Sequence, residues 1–407
     1  MTAGRPCFRG TCRAALTLFL LGGAGAGWVA EADAQAAAPS VRNPLRAEQG
    51  RAGLVAALDS AARAHVASEI LPGVSVAVVR GDDVLLQRGY GSVDVEWGVA
   101  TPADAEVSYE IGSVTKQFTA AVLLLLAEEG EIDLEADLTE YIDFDTGGRA
   151  LPLRRLFDHT SGMKSYTEMP VFGGLSVQDL PRDTLVRLVE AEPFDFEPGT
   201  ALIYNNSAYF ILGLIIESVT GQSYEEVVRQ RLFEPAGMDE SYYCSQVDVR
   251  ESRAHGYTAV SADRIIRAPY LNHLWPYAAG SLCSTVGDLV KWNEVLHGGE
   301  ILSAASYREM TTPRPLVDGT PIRYAMGLGV GERAGHRMIA HGGGINGFLS
   351  QLSWYPDDSL TVVVLQNSTG PLGAGDLADE LAGIVFGPAP AQQAKHFEGD
   401  LAGLAGT

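Results

Sequence analysis

The chain has 407 residues, 46% of them hydrophobic, which is enough for one large composite unit or two domains with a sizeable core. Its formal net charge of −22 at pH 7 argues against nucleic-acid binding, because proteins that bind nucleic acid present a basic face. An acidic surface of this kind favours solubility instead.

The first 34 residues have the three parts of a secretory signal peptide. A basic region contains Arg5, Arg9 and Arg13. The apolar stretch at 14–26 is too short to span a bilayer, and the small residues at 32–34 form a cleavage site. We therefore expect cleavage after Ala34, a linker at 35–51 and a secreted or periplasmic location, with an uncleaved membrane anchor as the alternative. No later apolar run is long enough to span a membrane.

The pattern after the linker predicts a helix followed by strands. Residues Ala52–Val66 form an amphipathic helix pattern. Val74–Val79 and Val84–Arg88 are strand-like and flank the turn sequence Arg80–Asp83, which is typical of a hairpin. The segment Val93–Val99 extends the same predicted sheet.

A buried helix with a polar start follows. Residues Phe118–Ala127 are almost continuously apolar and rich in Ala and Leu, which predicts a helix buried on all sides and stopped by Gly130. Just before it, Ser113 and Lys116 are three residues apart and would share a face of the first turn, where the helix dipole favours developing negative charge. This arrangement indicates an activated nucleophile rather than a surface pair.

The middle of the chain is mostly helical and the end returns to strands. Helices are predicted at Phe210–Val219, Tyr224–Leu232 and Thr285–Leu296. Strands are predicted at Tyr324–Val330, Met338–Ala340, Phe348–Tyr355 and Leu360–Gln366, before a closing helix at Leu377–Phe386. We therefore predict an α/β (α+β) fold in which one antiparallel sheet, built from both ends of the chain and flanked by helices, carries an inserted, mostly helical lobe. A site is expected in the cleft between sheet and lobe.

A nucleophilic serine needs a group that takes its proton. A tyrosinate can do so if nearby cations lower its pKa from about 10 toward 7, which takes roughly 4 kcal/mol. Of two Tyr-x-Asn sequences, Tyr204–Asn206 is preferred because it precedes a helix that Asn206 could cap. Tyr270–Asn272 lies in an irregular aromatic stretch and is read as loop packing. Taken alone, Tyr204 has the plainer interpretation of a tyrosine packed under a loop.

A third segment could supply a cation and a backbone N–H for an oxyanion. The sequence His341–Gly344 follows a short predicted strand, and its glycines let backbone approach a ligand closely. Three similar patterns are set aside. His297–Gly299 is typical of a helix C-terminus, Ser161–Lys164 repeats the Ser-x-x-Lys spacing in a polar turn, and Gly342–Gly347 matches a dinucleotide fingerprint but precedes a strand.

Four cysteines are present, of which Cys7 and Cys12 would leave with the signal peptide. Cys244 and Cys283 remain, and a disulfide and two buried free thiols are equally consistent with the sequence. The sequence contains no metal-ligand spacing and no HExxH motif. We therefore expect neither a metal nor another cofactor.

Three motifs now stand in one order: Ser113-x-x-Lys116, Tyr204-x-Asn206 and His341-x-Gly343. This order resembles the serine β-lactamase and penicillin-binding-protein superfamily, specifically the branch related to class C β-lactamases, which also contains esterases and D-amino-acid peptidases. Further matches are FDHTSGM at 157–163, FEPGTALIYNNSAYFILGLIIESVTG at 196–221 and AAGSLCSTVGDLVKW at 278–292. The resemblance covers about 54–386. It implies a hydrolase domain at 52–387, followed at 388–407 by a short tail or the start of a further β domain.

The resemblance also implies roles for the motif residues. Ser113 would be the acylated nucleophile, Lys116 would orient and help deprotonate it, and Tyr204 would be the general base. Asn206 would hydrogen-bond the substrate amide. The backbone N–H groups of Ser113 and Gly344 would form the oxyanion hole.

The third motif departs from the pattern of dedicated β-lactamases. Those enzymes usually carry lysine where this chain has His341, with Gly343 two residues on. Histidine is mostly neutral at pH 7, so a substrate carboxylate would be held less firmly. Esters and D-residue peptides are therefore better candidate substrates than β-lactams.

The leading hypothesis is a secreted serine hydrolase that forms an acyl-enzyme at Ser113 with a small-molecule or peptide substrate carrying an ester, amide or β-lactam bond. One alternative is a non-catalytic sensor or scaffold that binds cell-wall peptides. A further alternative is a transpeptidase that passes the acyl group to an amine.

Overall fold

A computed structural model of the protein describes residues 44–67, 71–245, 247–261 and 263–387. The predicted signal peptide at 1–34 and the tail at 388–407 lie outside these residues, as does the linker before residue 44. The described residues from Glu48 onward belong to one compact unit. Within the described ranges, no helix is both long and apolar enough to cross a bilayer.

Helices occupy both flanks of the molecule and its centre. They are α1 (Pro44–His65), α2 (Thr115–Glu128), α3 (Arg154–Phe157), α4 (Phe172–Leu175), α5 (Arg182–Glu190), α6 (Asn206–Thr220), α7 (Tyr224–Val228), α8 (Glu234–Ala236), α9 (Val286–Gly298), α10 (Ala304–Thr311) and α11 (Ala374–Phe386).

The strands form three sheets. They are β1 (Gly73–Arg80), β2 (Asp83–Asp94), β3 (Val99–Ala100), β4 (Tyr109–Glu110), β5 (Tyr242–Tyr243), β6 (Tyr257–Ser261), β7 (Arg264–Arg267), β8 (Leu282–Ser284), β9 (Gly329–Arg333), β10 (His336–Ile345), β11 (Phe348–Tyr355), β12 (Leu360–Gln366) and β13 (Ser368–Thr369).

The main sheet has seven antiparallel strands in the order β3-β2-β1-β12-β11-β10-β9. Its centre joins the two ends of the described chain, with Val76 of β1 opposite Val364 of β12. Side chains alternate between the two faces of a strand, and in β1 and β12 nearly all of them are buried, so both faces of the sheet are covered at its centre. Val76 and Val364 pack with α1 and α11, whereas Ala77 and Val363 pack toward the helical lobe. The predicted fold class, including the sheet built from both termini, is confirmed.

The apolar run forms the predicted buried central helix, α2. Phe118 is fully buried and stacks on Trp292 of α9 with 4.3 Å between ring centroids. Thr119 donates a hydrogen bond to the carbonyl of Ala278, which ties the helix to the segment before β8. The helix ends at Glu128, two residues before the predicted stop, Gly130, which has a left-handed φ of 78°.

Four predicted elements differ from the structure. The segment Val93–Val99 does not continue as one strand, because β2 ends at Asp94 and a turn at 95–98 leads to β3. The predicted strand Tyr324–Val330 is wrong, because Tyr324 forms only an isolated bridge with Gly329, where β9 begins. The strand predicted to end at Ala340 continues to Ile345, since its three glycines still pair with β11. The helix predicted from Tyr224 to Leu232 changes into a wider π turn after Val228.

Cys244 and Cys283 form a disulfide with 5.3 Å between their Cα atoms, which resolves the two alternatives in favour of the bridge. Cys283 lies on β8, the central strand of the three-stranded sheet β4-β8-β5. In this sheet Cys283 pairs with Glu110, three residues before Ser113. The disulfide therefore fixes β8, the strand that pairs with β4 just before the predicted nucleophile.

Candidate active site

Ser113 lies on a single 3₁₀ turn, Gly112–Val114, that joins β4 to α2. It is thus placed just before the helix rather than in its first α-helical turn. Gly112 has a left-handed φ of 50°, which favours glycine, and a Cβ added there would lie 2.9 Å from the backbone nitrogen of Gly344. The turn that carries Ser113 therefore packs directly against β10.

Lys116 is fully buried and is the second residue of α2. Its Nζ lies 3.0 Å from Ser113 Oγ, 2.8 Å from Asn206 Oδ1 and 2.8 Å from the carbonyl oxygen of Ala279. Burial lowers the pKa of Lys116 well below its usual value. A neutral amine has two N–H donors and one lone pair. The two carbonyl-type oxygens can only accept, so the lone pair is left for the hydroxyl proton of Ser113.

Tyr204 lies on the loop that enters α6. The prediction that Asn206 caps this helix is wrong, because the cap is Asn205, whose side-chain oxygen accepts a hydrogen bond from the backbone of the first turn. The Tyr204 ring covers Lys116 Nζ, 4.8 Å from its centroid. Although 38% of Tyr204 is exposed, desolvation raises the pKa of its hydroxyl, and a hydrogen bond with Ser113 offsets this only in part. This direction is opposite to the lowering that a tyrosinate base requires.

His341 is buried on β10. Its Nδ1 faces the carbonyl oxygen of Gly342, which can only accept, so Nδ1 carries the proton. The other nitrogen, Nε2, therefore accepts from the hydroxyl of Tyr324 at 2.8 Å. Burial, together with the nearby Lys116, lowers the pKa of His341 to about 3. His341 thus supplies no positive charge at neutral pH.

The glycines after His341 allow two segments to meet. A Cβ on Gly343 would overlap the carbonyl oxygen of Ile111, to which the Ser350 hydroxyl donates a hydrogen bond at 2.7 Å. Gly344 follows beside the turn of Ser113. The backbone amides named for the oxyanion hole therefore lie on adjoining segments.

Two of the sequences that were set aside, the second Ser-x-x-Lys and the second Tyr-x-Asn, have other surroundings. Lys164 is ion-paired with Asp195 at 3.1 Å and Glu168 at 3.3 Å, so it is not available to Ser161. Tyr270 is 50% exposed. In the preferred motifs, Lys116 Nζ and the Tyr204 hydroxyl contact Ser113, and the ring centroid of His341 lies 6.2 Å from that of Tyr204.

Two residues of the site are absent from the sequence prediction. His159 is fully buried, with its ring centroid 4.2 Å from that of Tyr204 and 4.4 Å from that of Tyr324. Tyr324 in turn holds His341. The FDHTSGM match contained His159, but its contacts are distant in sequence and no local pattern indicates them.

A cavity of about 470 Å³ is lined in part by Glu110, Arg253, Asn346 and Phe348. Glu110 precedes Ser113 by three residues and Asn346 follows Gly344 by two, but none of the three predicted catalytic side chains lines the cavity. Within the described ranges, no group of three or more His, Cys, Asp or Glu side chains could hold a metal ion.

Comparison with known proteins agrees with this geometry. A family model described as Beta-lactamase matches residues 58–385. The chain is 29% identical to a D-aminopeptidase of Brucella anthropi over 318 residues, which are 78% of this chain and 59% of that protein. It therefore spans about three fifths of the length of this curated relative.

Two solved structures have similar folds. A D-stereospecific amidohydrolase from Streptomyces sp. has a TM-score of 0.64 and 27% identity, covering 77% of this chain and 94% of its own. A D-amino acid amidase from Ochrobactrum anthropi SV3, complexed with D-phenylalanine, has a TM-score of 0.73 and 24% identity, covering 82% of this chain and 99% of its own. The second likeness supports the fold alone.

Proposed function

Since the chain belongs to the β-lactamase family and is a serine hydrolase, we propose that it hydrolyses amide bonds of D-amino acid derivatives through an acyl-enzyme on Ser113. The observation that carries this proposal is the set of three contacts around Lys116. They fit a neutral amine whose lone pair meets the Ser113 hydroxyl. This is the arrangement needed to activate a serine near neutral pH.

In the acylation step, the proton of Ser113 Oγ passes to Lys116 Nζ as Oγ bonds to the substrate carbonyl carbon. The carbonyl oxygen becomes an oxyanion held by the backbone N–H groups of Ser113 and Gly344; losing one such donor typically costs about 10²–10³ in rate. When the C–N bond breaks, the Tyr204 phenol donates its proton to the leaving amine. Lys116 then returns its extra proton to Tyr204.

Deacylation reverses these transfers with water. A water molecule loses a proton through Tyr204 to Lys116 as its oxygen attacks the acyl carbon, and Ser113 leaves with that proton. Tyr204 therefore acts as a protonated relay, and Lys116 is the base. The raised pKa of Tyr204 and the lowered pKa of Lys116 both support this division of roles.

The substrate class rests on two supports. The D-aminopeptidase and the D-stereospecific amidohydrolase are named for action on D-configured substrates. In addition, neutral His341 offers no charge for a carboxylate, so amides, esters and amino-terminal residues fit better than β-lactams. The Nδ2 group of Asn206, which donates to exposed Thr167 at 3.2 Å, can exchange that partner for a substrate carbonyl.

We also propose that the protein is secreted. The signal-like features of 1–34 support this, and so does the Cys244–Cys283 bridge, because disulfides persist in oxidising compartments. Amino-terminal sequencing of protein recovered from periplasm or medium should begin at Gln35. Recovery of the full-length chain only in the cytoplasm would contradict the proposal.

The function is tested with D- and L-alanine p-nitroanilide, D-phenylalanine amide, p-nitrophenyl acetate and nitrocefin. We expect turnover that favours the D-amides and a mass adduct on Ser113. Ser113→Ala should abolish both, whereas Ser161→Ala, in the second Ser-x-x-Lys sequence, should retain activity. Absence of adduct and turnover in folded protein would refute the hydrolase mechanism. Preference for the L-amide would refute only the stereochemical assignment.

A further inference from the structure

We propose that His159 is a positioning residue that holds the Tyr204 phenol against Ser113. This inference rests on the proposed function, because it assigns a role within that same reaction. The motif FDHTSGM contains His159 but gives no indication of this contact. The inference comes from what surrounds the imidazole in the structure.

His159 holds the Tyr204 loop at three points. Its Nδ1 accepts a hydrogen bond from the backbone nitrogen of Asn205 at 3.1 Å. Its own carbonyl oxygen accepts from the backbone nitrogen of Ile203, also at 3.1 Å. Between these two residues, the ring of Tyr204 lies 4.2 Å from the imidazole, centroid to centroid. The residues before and after Tyr204, and its ring, thus all contact His159, two of them through the imidazole and Ile203 through the backbone carbonyl.

His159 also contacts a residue that orients the third motif. Its ring lies 4.4 Å from that of Tyr324, whose hydroxyl donates to His341. One imidazole therefore contacts both the aromatic ring of the second motif and the tyrosine that orients the third, and these two rings lie 6.2 Å apart. A shift of His159 would move both sides of the site together.

The conformation of His159 is costly. Its φ of 61° is left-handed, a region that only a few per cent of residues other than glycine occupy, although histidine does so more often than most. Because Nδ1 accepts, Nε2 carries the proton, yet this buried donor has no hydrogen-bond partner in the described part of the chain. Strain and an unsatisfied donor together at one residue point to a functional rather than a packing requirement.

Tyr204 needs such support because it is 38% exposed and could otherwise turn toward solvent. A ring free to rotate would spend only part of its time within hydrogen-bond reach of Ser113. Displacement of about 1 Å can cost 10²-fold in rate. The buried imidazole limits this motion from the protein side.

Two substitutions separate the contacts. His159→Asn keeps an acceptor for Asn205 N–H and tolerates the left-handed backbone, but it removes the ring. His159→Phe keeps a ring against Tyr204 but removes the acceptor. We expect each to lower kcat on the best D-amide by about 10- to 100-fold while KM changes less than about threefold.

A double-mutant cycle with Tyr204→Phe decides whether the effect passes through the phenol. If His159 positions that hydroxyl, each His159 substitution should cost less than about threefold in the Tyr204→Phe background. Equal losses in both backgrounds would overturn the inference. The matched control is His297→Asn, which alters another buried histidine, in contact with Trp354 and Tyr307; it should lower stability but leave kcat unchanged.

The inference can fail separately from the proposed function. If the wild-type protein turns over no substrate, the proposed function fails. The position of Tyr204 is then read from crystal structures of wild type and His159→Asn. A displacement of its hydroxyl by about 1 Å or more from the wild-type position supports the inference, and an unmoved hydroxyl overturns it.

Discussion

The disulfide between Cys244 and Cys283 should contribute a large share of the stability of this protein. Its cysteines are 39 residues apart, so the bridge closes a loop of about 40 residues in the unfolded chain. The chain-entropy relation gives about 13 cal/mol/K for that loop, or about 4 kcal/mol at 25 °C. The double variant Cys244→Ala/Cys283→Ala should therefore unfold with about 4 kcal/mol less free energy than the wild type.

The measurement is urea unfolding followed by tryptophan fluorescence, with wild type in the presence and absence of reductant. The reduced wild type should approach the midpoint of the double variant. Because Cys283 pairs with Glu110, three residues before Ser113, we also expect the double variant to lose activity at lower urea than it loses its helical signal. A difference below about 1 kcal/mol between wild type and variant would refute the loop-entropy reasoning.

Three further outcomes follow from the site and the core. Lys116→Arg should abolish amide hydrolysis at every pH, because a guanidinium stays charged. In wild type, kcat/KM should rise with pH as Lys116 loses its proton. A Lys116→Arg variant with wild-type rates would exclude Lys116 as the base. Burial lowers the pKa of His297 to about 3, so its stabilising contribution is complete above pH 6.5 and declines as the unfolded chain takes up a proton below it. Between pH 7 and pH 4 the free energy of unfolding of wild type should therefore fall by about 3 kcal/mol more than that of His297→Phe, as measured by urea titration. Equal decreases in the two proteins would contradict this. Gly343→Ala should lower kcat/KM by about 10²–10³-fold, because its methyl group would overlap the carbonyl oxygen of Ile111. Ser350→Ala, which removes a hydrogen bond to the same oxygen, should lower the free energy of unfolding by only about 1 kcal/mol. Equal activity in Gly343→Ala and wild type would show that this close packing is not required.

The sequence was sufficient for the central strands β1, β11 and β12 of the main sheet because they carry strong local patterns. β11 and β12 were predicted with their observed ends, since alternating or continuous apolar residues stop at clear turn sequences. β10 was predicted too short because Gly342–Gly344 have no side chains to show a pattern. Their pairing with β11 is visible only in the folded sheet.

Within the site, local signals located the motif residues but not their supports. Ser113 and Lys116 are three residues apart across the junction of the 3₁₀ turn with α2, so the sequence spacing indicates their proximity. Tyr324 was assigned to a strand from its apolar neighbours, although its hydroxyl serves His341. His159 contacts Asn205, and Ala279 contacts Lys116. These partners are far apart in the chain, so no short stretch of sequence contains both members of either pair.

The position of β1 beside β12 has a consequence for how this molecule is made. Val76 and Val364 are about 290 residues apart, so the central seam of the sheet cannot close until nearly the whole domain has been synthesised. Contacts between such remote segments slow folding. A nascent chain would hold its first hairpin with an open edge for most of translation. Such a delay would favour the secretion proposed above, because an export channel threads its substrate unfolded.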